Sequence, residues 1–466
     1  MIRRYPALLL ACLGLLFLAG CTVGPNYQRP KVNVPTTYRS ATPDQTSAAS
    51  LGDQQWWTVF EDPVLQNLIR TGFQQNYDIR IAATRILQAQ AQLVITRANQ
   101  FPTLNGTGTI SGTRSPGIPG VFKSYSYLAD ELALAGSWNL DFWGQYRRAT
   151  EAARATLRES EWGRRAVFST LVENLATAYF QLREYDLELD IAKRTLASRQ
   201  ASLKLTETLE QGGATSLVDV RQAQQLVEEA AEAIPQIEQE IAQEENQISV
   251  LMGENPTDIP RGRPITEQPL PPTVPAGLPS QLLERRPDIR EAEEALIAAN
   301  ARIGVARAQL FPQISLTGTG GVESIGLGNL FDWAARTWTW SAGATQPIFN
   351  AGSLRANVRF AQAQQEQALL TYQQAVQTAF REVADSLSAF QKLRQYREHQ
   401  EALATAAQQG AQLSDVRYQG GVTSYLEVLT NQTTYFSAEL NLARARLNER
   451  LALVQIYNAL GGGWQR

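Results

Sequence analysis

The sequence predicts an α+β membrane protein built as two tandem repeats. Three observations carry this. A unit of roughly 210 residues is written twice in a chain of 466. Each copy alternates helix-type and strand-type periodicity in the same order. Each copy also holds one helical stretch far longer than an ordinary globular domain contains.

The repeat is read directly. Asp78-Ile79-Arg80 recurs as Asp288-Ile289-Arg290, Phe101-Pro102 as Phe311-Pro312, and Thr107-Gly108-Thr109 as Thr317-Gly318-Thr319, all at a shift of 210. Gln211-Gly212-Gly213-Ala214-Thr215-Ser216 recurs as Gln419-Gly420-Gly421-Val422-Thr423-Ser424 at a shift of 208. Length alone would suggest about three domains, but the repeat overrides that prior. The boundaries read as 1–20 signal peptide, 21–63 anchor and tether, 64–253 first repeat, 254–279 linker, 280–463 second repeat and 464–466 tail. The formal net charge of −3 gives no reason to expect nucleic acid as a partner.

The chain opens with Arg3 and Arg4, then an apolar run from Ala7 to Leu18 that is too short to span a bilayer. This is the layout of a secretory signal. It ends Leu18-Ala19-Gly20-Cys21, which resembles the bacterial lipobox. The resemblance implies a diacylglycerol and an N-acyl chain on Cys21 and, with Thr22 next, sorting to the outer membrane. Cys12 would leave with the signal, so the mature chain would hold no disulfide. Residues 22–55, rich in Pro, Thr, Ser and Gln, read as an extended tether.

In the first repeat, Pro63 suits the first turn of a helix over about 64–100. Phe101-Pro102 ends it, because the residue before Pro is pushed from the α region. Strands follow at 103–113 and 124–142, with Leu104, Gly106, Gly108 and Ile110 alternating onto one face of the first. The second repeat gives a helix at 287–310 and strands at 313–323 and 336–349. Tyr125, Tyr127, Trp138, Trp143, Trp333, Trp338 and Trp340 gather at strand ends, as in the aromatic girdles of a membrane barrel. A soluble sandwich with an aromatic core is the alternative.

Residues 147–210 and 354–419 lack Pro and are nearly free of Gly, giving helices of about 95 and 100 Å. Each ends at a Gly-Gly turn and reverses into a shorter helix, 216–252 or 424–460. Glycine supplies the positive φ that the reversal needs. Thr215, Ser216, Thr423 and Ser424 are placed to cap the returning helices. Pro235 should kink the first of these. Asp219 and Glu427 occupy matching places one turn in. The long helices are rich in Ala, Gln, Leu and Glu, as in Phe360-Ala361-Gln362-Ala363, which suits packing on two flanks with water on the other sides.

Catalytic chemistry has little support. The single histidine, His399, lies on a long helix beside Glu398 and Glu401, and no His or Cys cluster has metal-ligand spacing. No phosphate-binding or nucleophile motif sits between strand and helix. The expectation is no enzyme, no metal and no cofactor beyond the lipid.

The chain resembles the TolC-like outer-membrane efflux proteins, closest to the OprM-type lipoprotein branch that serves RND pumps. The residues that carry this are Cys21-Thr22-Val23-Gly24-Pro25-Asn26-Tyr27, Trp56-Trp57 through Pro63, Leu283 to Ile289, Ala306 to Pro312, and Ala459-Leu460-Gly461-Gly462-Gly463-Trp464. The resemblance implies a homotrimer: a twelve-stranded outer-membrane β-barrel continuous with a twelve-helix periplasmic α-barrel, with an equatorial region at mid-height. Simple counting agrees, since eight strands fill their own interior whereas three copies of four leave a pore. An open edge is not tolerated in lipid.

The same resemblance implies an exit duct working with a periplasmic adaptor and an inner-membrane RND transporter. Gly212, Gly213, Thr215, Ser216, Gly420, Gly421, Thr423 and Ser424 would form the periplasmic tip where the adaptor docks. Asp219, Tyr418, Leu426 and Glu427 would form the gate, with Asp219 and Tyr418 at positions that bond across it. Phe101, Pro102, Phe311 and Pro312 would mark the junction of helix and barrel. Thr430 stands where many relatives carry a second carboxylate. A duct for type I polypeptide secretion and a non-conducting lipoprotein spacer are the rival readings.

Overall fold

The computed structural model describes residues 22–41, 49–117, 119–121, 123–271 and 274–464. Cys21 and the signal segment lie outside the described residues. The first repeat supplies α1 (Pro63–Gln75), α2 (Tyr77–Ala98), β1 (Thr103–Ser115), β2 (Tyr125–Leu140), α3 (Gln145–Gln211) and α4 (Leu217–Met252). The second supplies α5 (Pro279–Arg285), α6 (Pro287–Ala308), β3 (Gln313–Ser324), β4 (Arg336–Thr345), α7 (Ser353–Gln419) and α8 (Tyr425–Ala459). The repeat shift survives in the fold: α6 begins and ends 210 residues after α2, and α7 begins and ends 208 after α3. Both long helices have 67 residues.

The helix expected over 64–100 is two helices. Asn76 breaks it: its Oδ1 accepts from Asp78 N (2.8 Å) and Ile79 N (3.1 Å), while its Nδ2 donates to Leu251 O (2.9 Å). That is an N-cap, and it restarts the helix. Pro287 starts α6 after a break at Arg286, the same place in the second repeat. Pro235 lies inside α4, which runs unbroken from Leu217 to Met252. β4 stops at Thr345, short of the expected 349, and Ile348 and Phe349 lie beyond it, exposed.

The chain divides into two compact units. The first, residues 1–31, 85–160 and 291–372, contains the sheet. Its order is β1-β2-β3-β4, antiparallel throughout, so the strands of both repeats pair through β2 and β3. The pairing runs without a slipped residue, so alternate side chains keep to one face across all four strands. One face carries Leu104, Ile110, Leu132, Leu134, Leu316, Trp338 and Trp340, with Arg114, the buried Asp130 and Ser324 toward its outer end; the other carries Thr107, Thr109, Thr317, Thr319, Thr337 and Thr339. By the same register Tyr125 and Tyr127 fall on the hydroxyl face, stacked 6.2 Å apart, and not with the tryptophans. Trp143 also leaves the expected girdle. It stacks on Phe311 at 4.8 Å and donates to Pro312 O at 2.7 Å, at the end of α6.

Residues 22–29 are not a free tether. Val23 N donates to Trp143 O (3.0 Å), Asn300 Nδ2 to Pro25 O (3.0 Å), Arg148 Nη2 to Asn26 Oδ1 (2.7 Å) and Tyr27 Oη to Glu293 Oε1 (3.1 Å). Gly24, at φ +107°, crosses Gly304 so closely that a Cβ on it would lie 2.5 Å from the Gly304 Cα. Only two glycines permit that crossing.

The second unit, residues 32–84, 161–290 and 373–466, holds the helical hairpins. Its hub is Asp62, which caps α1 with Pro63 at the first position. The carboxylate accepts from Val64 N (2.8 Å), Tyr179 Oη (2.8 Å), Gln268 Nε2 (2.6 Å) and Arg263 N (3.1 Å). Burial alone would raise its pKa, but these donors outweigh burial and hold the carboxyl below its ordinary value. The link 254–279 is thereby fixed to α1 and α3, with Ile259, Ile265 and Val274 buried. Among the described residues, no helix is long and apolar enough to cross a membrane.

Candidate functional site

Both helical hairpins turn at the repeated Gly-Gly. At the first, Gly213 sits at φ +73°, Gly213 N donates to Glu210 O (2.8 Å) and Ala214 N to Leu209 O (2.8 Å). At the second, Gly421 sits at φ +68°, with Gly421 N on Tyr418 O (2.9 Å) and Val422 N on Arg417 O (3.0 Å). The left-handed glycine lets the next amide reach back and cover a last-turn carbonyl. Gly212 and Gly420 complete the turns, both at the surface.

The caps differ between the two tips. Ser216 Oγ accepts from Asp219 N, and the Asp219 carboxylate accepts from Ser216 N (both 3.4 Å), a reciprocal capping box. Thr215 Oγ1 also donates to Asp219. Ser424 stands at the matching N-cap but its side chain makes no capping bond, contrary to expectation. Thr423 Oγ1 instead donates to Glu427, and Arg417 Nε lies 3.4 Å from the same carboxylate. The longer Glu side chain reaches back across the turn to the last turn of α7, where Asp reaches only its own cap.

Tyr418 meets the first tip within the chain. Its hydroxyl lies 3.2 Å from Thr215 Oγ1, so a threonine hydroxyl stands between Tyr418 and Asp219 within the chain. The Tyr418 ring meets Tyr425 edge-on at 5.1 Å, above a small core of Ala223, Leu226 and Val428. Tyr425 is buried, and burial raises its phenol pKa. This core joins the two hairpins. Leu426 lies outside it, exposed, as do Leu217, Val218 and Val422. Thr430 donates to Leu426 O (2.9 Å), the usual back-bond of a helical threonine.

Two charged residues behind the tip were not anticipated. Arg199, on α3, is buried; its Nη1 donates to Leu226 O (2.7 Å) and Glu229 (3.1 Å), and its guanidinium lies 5.0 Å from the Phe436 ring centre. Burial lowers its pKa, partly offset by Glu229. Asp415, on α7, accepts from Gln432 Nε2 (2.9 Å), and burial raises its pKa. An arginine and an aspartate within polar helices give no sequence signal of burial. Thr215 and Thr423, expected to cap the returning helices, instead donate to the acid four residues on, a spacing that faces one side of a turn.

Phe101-Pro102 and Phe311-Pro312 do end α2 and α6 and open β1 and β3. Their phenylalanines differ: Phe311 is stacked on Trp143, and Phe101 is more exposed, with no ring partner among the described residues. Among the described residues, no group of three or more His, Cys, Asp or Glu is placed to hold a metal ion. His399 is exposed.

The two repeats each match the family model for the outer membrane efflux protein, over residues 68–254 and 278–462. The chain belongs to the outer membrane efflux protein family. It is 36% identical to the probable efflux pump outer membrane protein TtgC of Pseudomonas putida, covering 98% of this chain and 96% of the relative. It is 35% identical to the cation efflux system protein CusC of Escherichia coli strain K12, covering 98% of this chain and all of the relative. Among solved structures, the outer-membrane channel OprN superposes with a TM-score of 0.90 at 31% identity, over 96% of this chain and 100% of that one. The open state of the Neisseria gonorrhoeae MtrE outer membrane channel superposes with a TM-score of 0.86 at 32% identity, over 96% and 99%. The paired tips bring polar donors, carboxylates and exposed apolar side chains together.

Proposed function

We infer that this chain is the outer-membrane exit duct of a tripartite efflux pump, passing small molecules onward from an inner-membrane RND transporter and a periplasmic adaptor. One observation supports this reading most. The four-stranded sheet has an apolar face and a hydroxyl-lined face, and β1 and β4 each pair on one side only. Such a sheet has no stable place in water or lipid alone. Three copies would join edge to edge into a twelve-stranded barrel, apolar outside and hydroxyl-lined within, with twelve helices forming the periplasmic duct. The relatives' names range over antibiotics, toluene and cations, so no single cargo follows from the family. Cys21 would carry the lipid, anchoring the docked segment 22–29 at the outer membrane.

In this reading the hairpin tips meet the adaptor and close the duct. Thr215 holds Tyr418 and Asp219 together, and the exposed Leu217, Val218, Val422 and Leu426 supply the apolar surface. A gate is a two-state element, and adaptor contact biases it toward open. The test is single-channel recording of the purified protein in planar bilayers. The parent should conduct weakly, and Tyr418→Phe combined with Thr215→Val should raise resting conductance. A protein that never conducts in any variant is a spacer. Intact-mass measurement of the mature protein should find the acyl chains, and Cys21→Ser should remove them while export continues.

A further inference from the structure

The loop from β3 to β4 is folded and strongly apolar. It joins the strand ends remote from α6 and α7. Two short 3-10 turns, Leu327–Asn329 and Trp333–Ala335, shape it, with Leu330 N on Leu327 O (3.4 Å) and Ala335 N on Asp332 O (3.1 Å). Leu330 tucks inward, yet Ile325, Leu327, Phe331 and Trp333 point out, the last two each 78% exposed. Folded loops in water do not spend four large apolar side chains this way.

Arg336 lies at the base of this loop. Its guanidinium sits 3.7 Å from the centre of the Trp333 ring. The strand register puts Arg336 on the same face as Trp338 and Trp340, at the outer end of that face. Apolar face, tryptophans, stacked arginine and apolar loop are therefore one continuous surface. Tryptophan and arginine together suit the boundary between acyl chains and head groups, where a ring is half wetted and a guanidinium meets phosphate.

We propose that the β3–β4 loop is seated in the outer leaflet, with Ile325, Leu327, Phe331 and Trp333 among acyl chains and Arg336 on a phosphate of the surrounding glycolipid. This rests on the outer-membrane reading above. The loop then does not lie over the duct mouth. It widens the lipid contact of each copy at the level where the strands end.

Thiol-reactive fluorophores test the seating. Phe331→Cys would be labelled beside two references, Ala342→Cys on the apolar face and Thr339→Cys on the hydroxyl face. The full-length protein would be reconstituted in vesicles containing bis-phosphorylated lipid A. The label at 331 should be quenched by brominated acyl chains, as at 342, and protected from aqueous iodide, unlike 339. Iodide quenching at 331 like that at 339 overturns the proposal, and so does shielding from both quenchers, which would mean the loop packs on protein. If 342 also escapes the lipid quencher, the barrel reading itself fails. Native mass spectrometry tests the phosphate contact. The parent should retain bis-phosphorylated lipid A several-fold more than the dephosphorylated form, Arg336→Gln should lose that preference, and Arg336→Lys should restore part of it. Equal retention by parent and Arg336→Gln removes the arginine from the proposal.

Discussion

Carboxylates are held in two opposite ways along α3 and the helix that returns from it. At the tip, Asp219 is surrounded by donors: Thr215 Oγ1 and Ser216 N. Further back on α3, Glu184 and Glu188 are buried one turn apart. Glu188 is met by Arg444 Nε at 3.0 Å. Glu184 accepts from Gln181 Nε2 at 3.1 Å on one oxygen, and its Oε1 is buried, with the Glu188 carboxylate close by. The tip supplies its carboxylate with donors, whereas burial and the neighbouring Glu188 favour the protonated form of Glu184. Because Oε1 is already covered within one chain, a neighbouring copy has no access to it without rearrangement.

The largest expected effect breaks this contrast. Burial, then the charge of Glu188 and a hydrogen bond shared with it, push the Glu184 carboxyl up from 4.5 to about 9, with Arg444 opposing and Glu240 adding. The unfolded chain releases that proton near 4.5, whereas the folded chain keeps it to about 9. Stability is therefore highest below the lower value and is lost as pH rises between the two. Each pH unit in that window costs at most about 1.4 kcal/mol. Glu184→Gln mimics the protonated acid, so it should match the parent at the acidic end and gain on it steadily toward alkaline pH. Thermal unfolding of the detergent-solubilised protein, at pH values across the window, measures the difference. Parallel curves for parent and variant would mean that Glu184 is ionised and paired after all.

The second effect sharpens the comparison between the two tips. Ser216 completes a capping box, but Ser424 at the matching position makes no side-chain cap bond. Removing a working N-cap costs about 1 kcal/mol. Ser216→Ala should lower the unfolding midpoint measurably, whereas Ser424→Ala should leave it within error. Equal losses would show that the second cap forms in solution as the first does.

These contrasts mark what the sequence could and could not convey. The Gly-Gly turns and the Phe-Pro breaks are local, and the structure places each where the periodicity does. The duplicated register carried the pairing of β2 with β3 only implicitly, because no local signal names a strand's neighbour. The helix restart at Asn76 was missed, because apolar periodicity continues on both sides of it. The docking of residues 22–29 was hidden, since Pro-rich polar chain reads as tether unless its partners, Glu293, Asn300 and Gly304, are known. Arg199 and Glu184 were hidden for the same reason. Burial of a charged side chain is decided by helices distant in sequence.

The smallest effect on stability falls at the second tip, and there it separates stability from function. Glu427 is held by Thr423 and by Arg417 at 3.4 Å, a pair with both side chains well exposed. Exposed pairs contribute about 0.2–1 kcal/mol and are screened by salt. Glu427→Gln should barely move the unfolding midpoint. In a trimer such as the one proposed, however, three-fold symmetry would gather three copies of Glu427 and three of Asp219 around one narrow opening, where like charges attract cations and repel one another. Asp219 is enclosed by its cap, so Glu427 is the carboxylate freer to face the passage once salt loosens its arginine. Cation over anion preference, read from reversal potentials in asymmetric salt, should fall in Glu427→Gln and change less in Asp219→Asn. High salt should narrow the gap between parent and Glu427→Gln. If the two substitutions alter selectivity equally, the caps do not distinguish the tips in the open duct; if neither alters it, the passage is narrowest elsewhere.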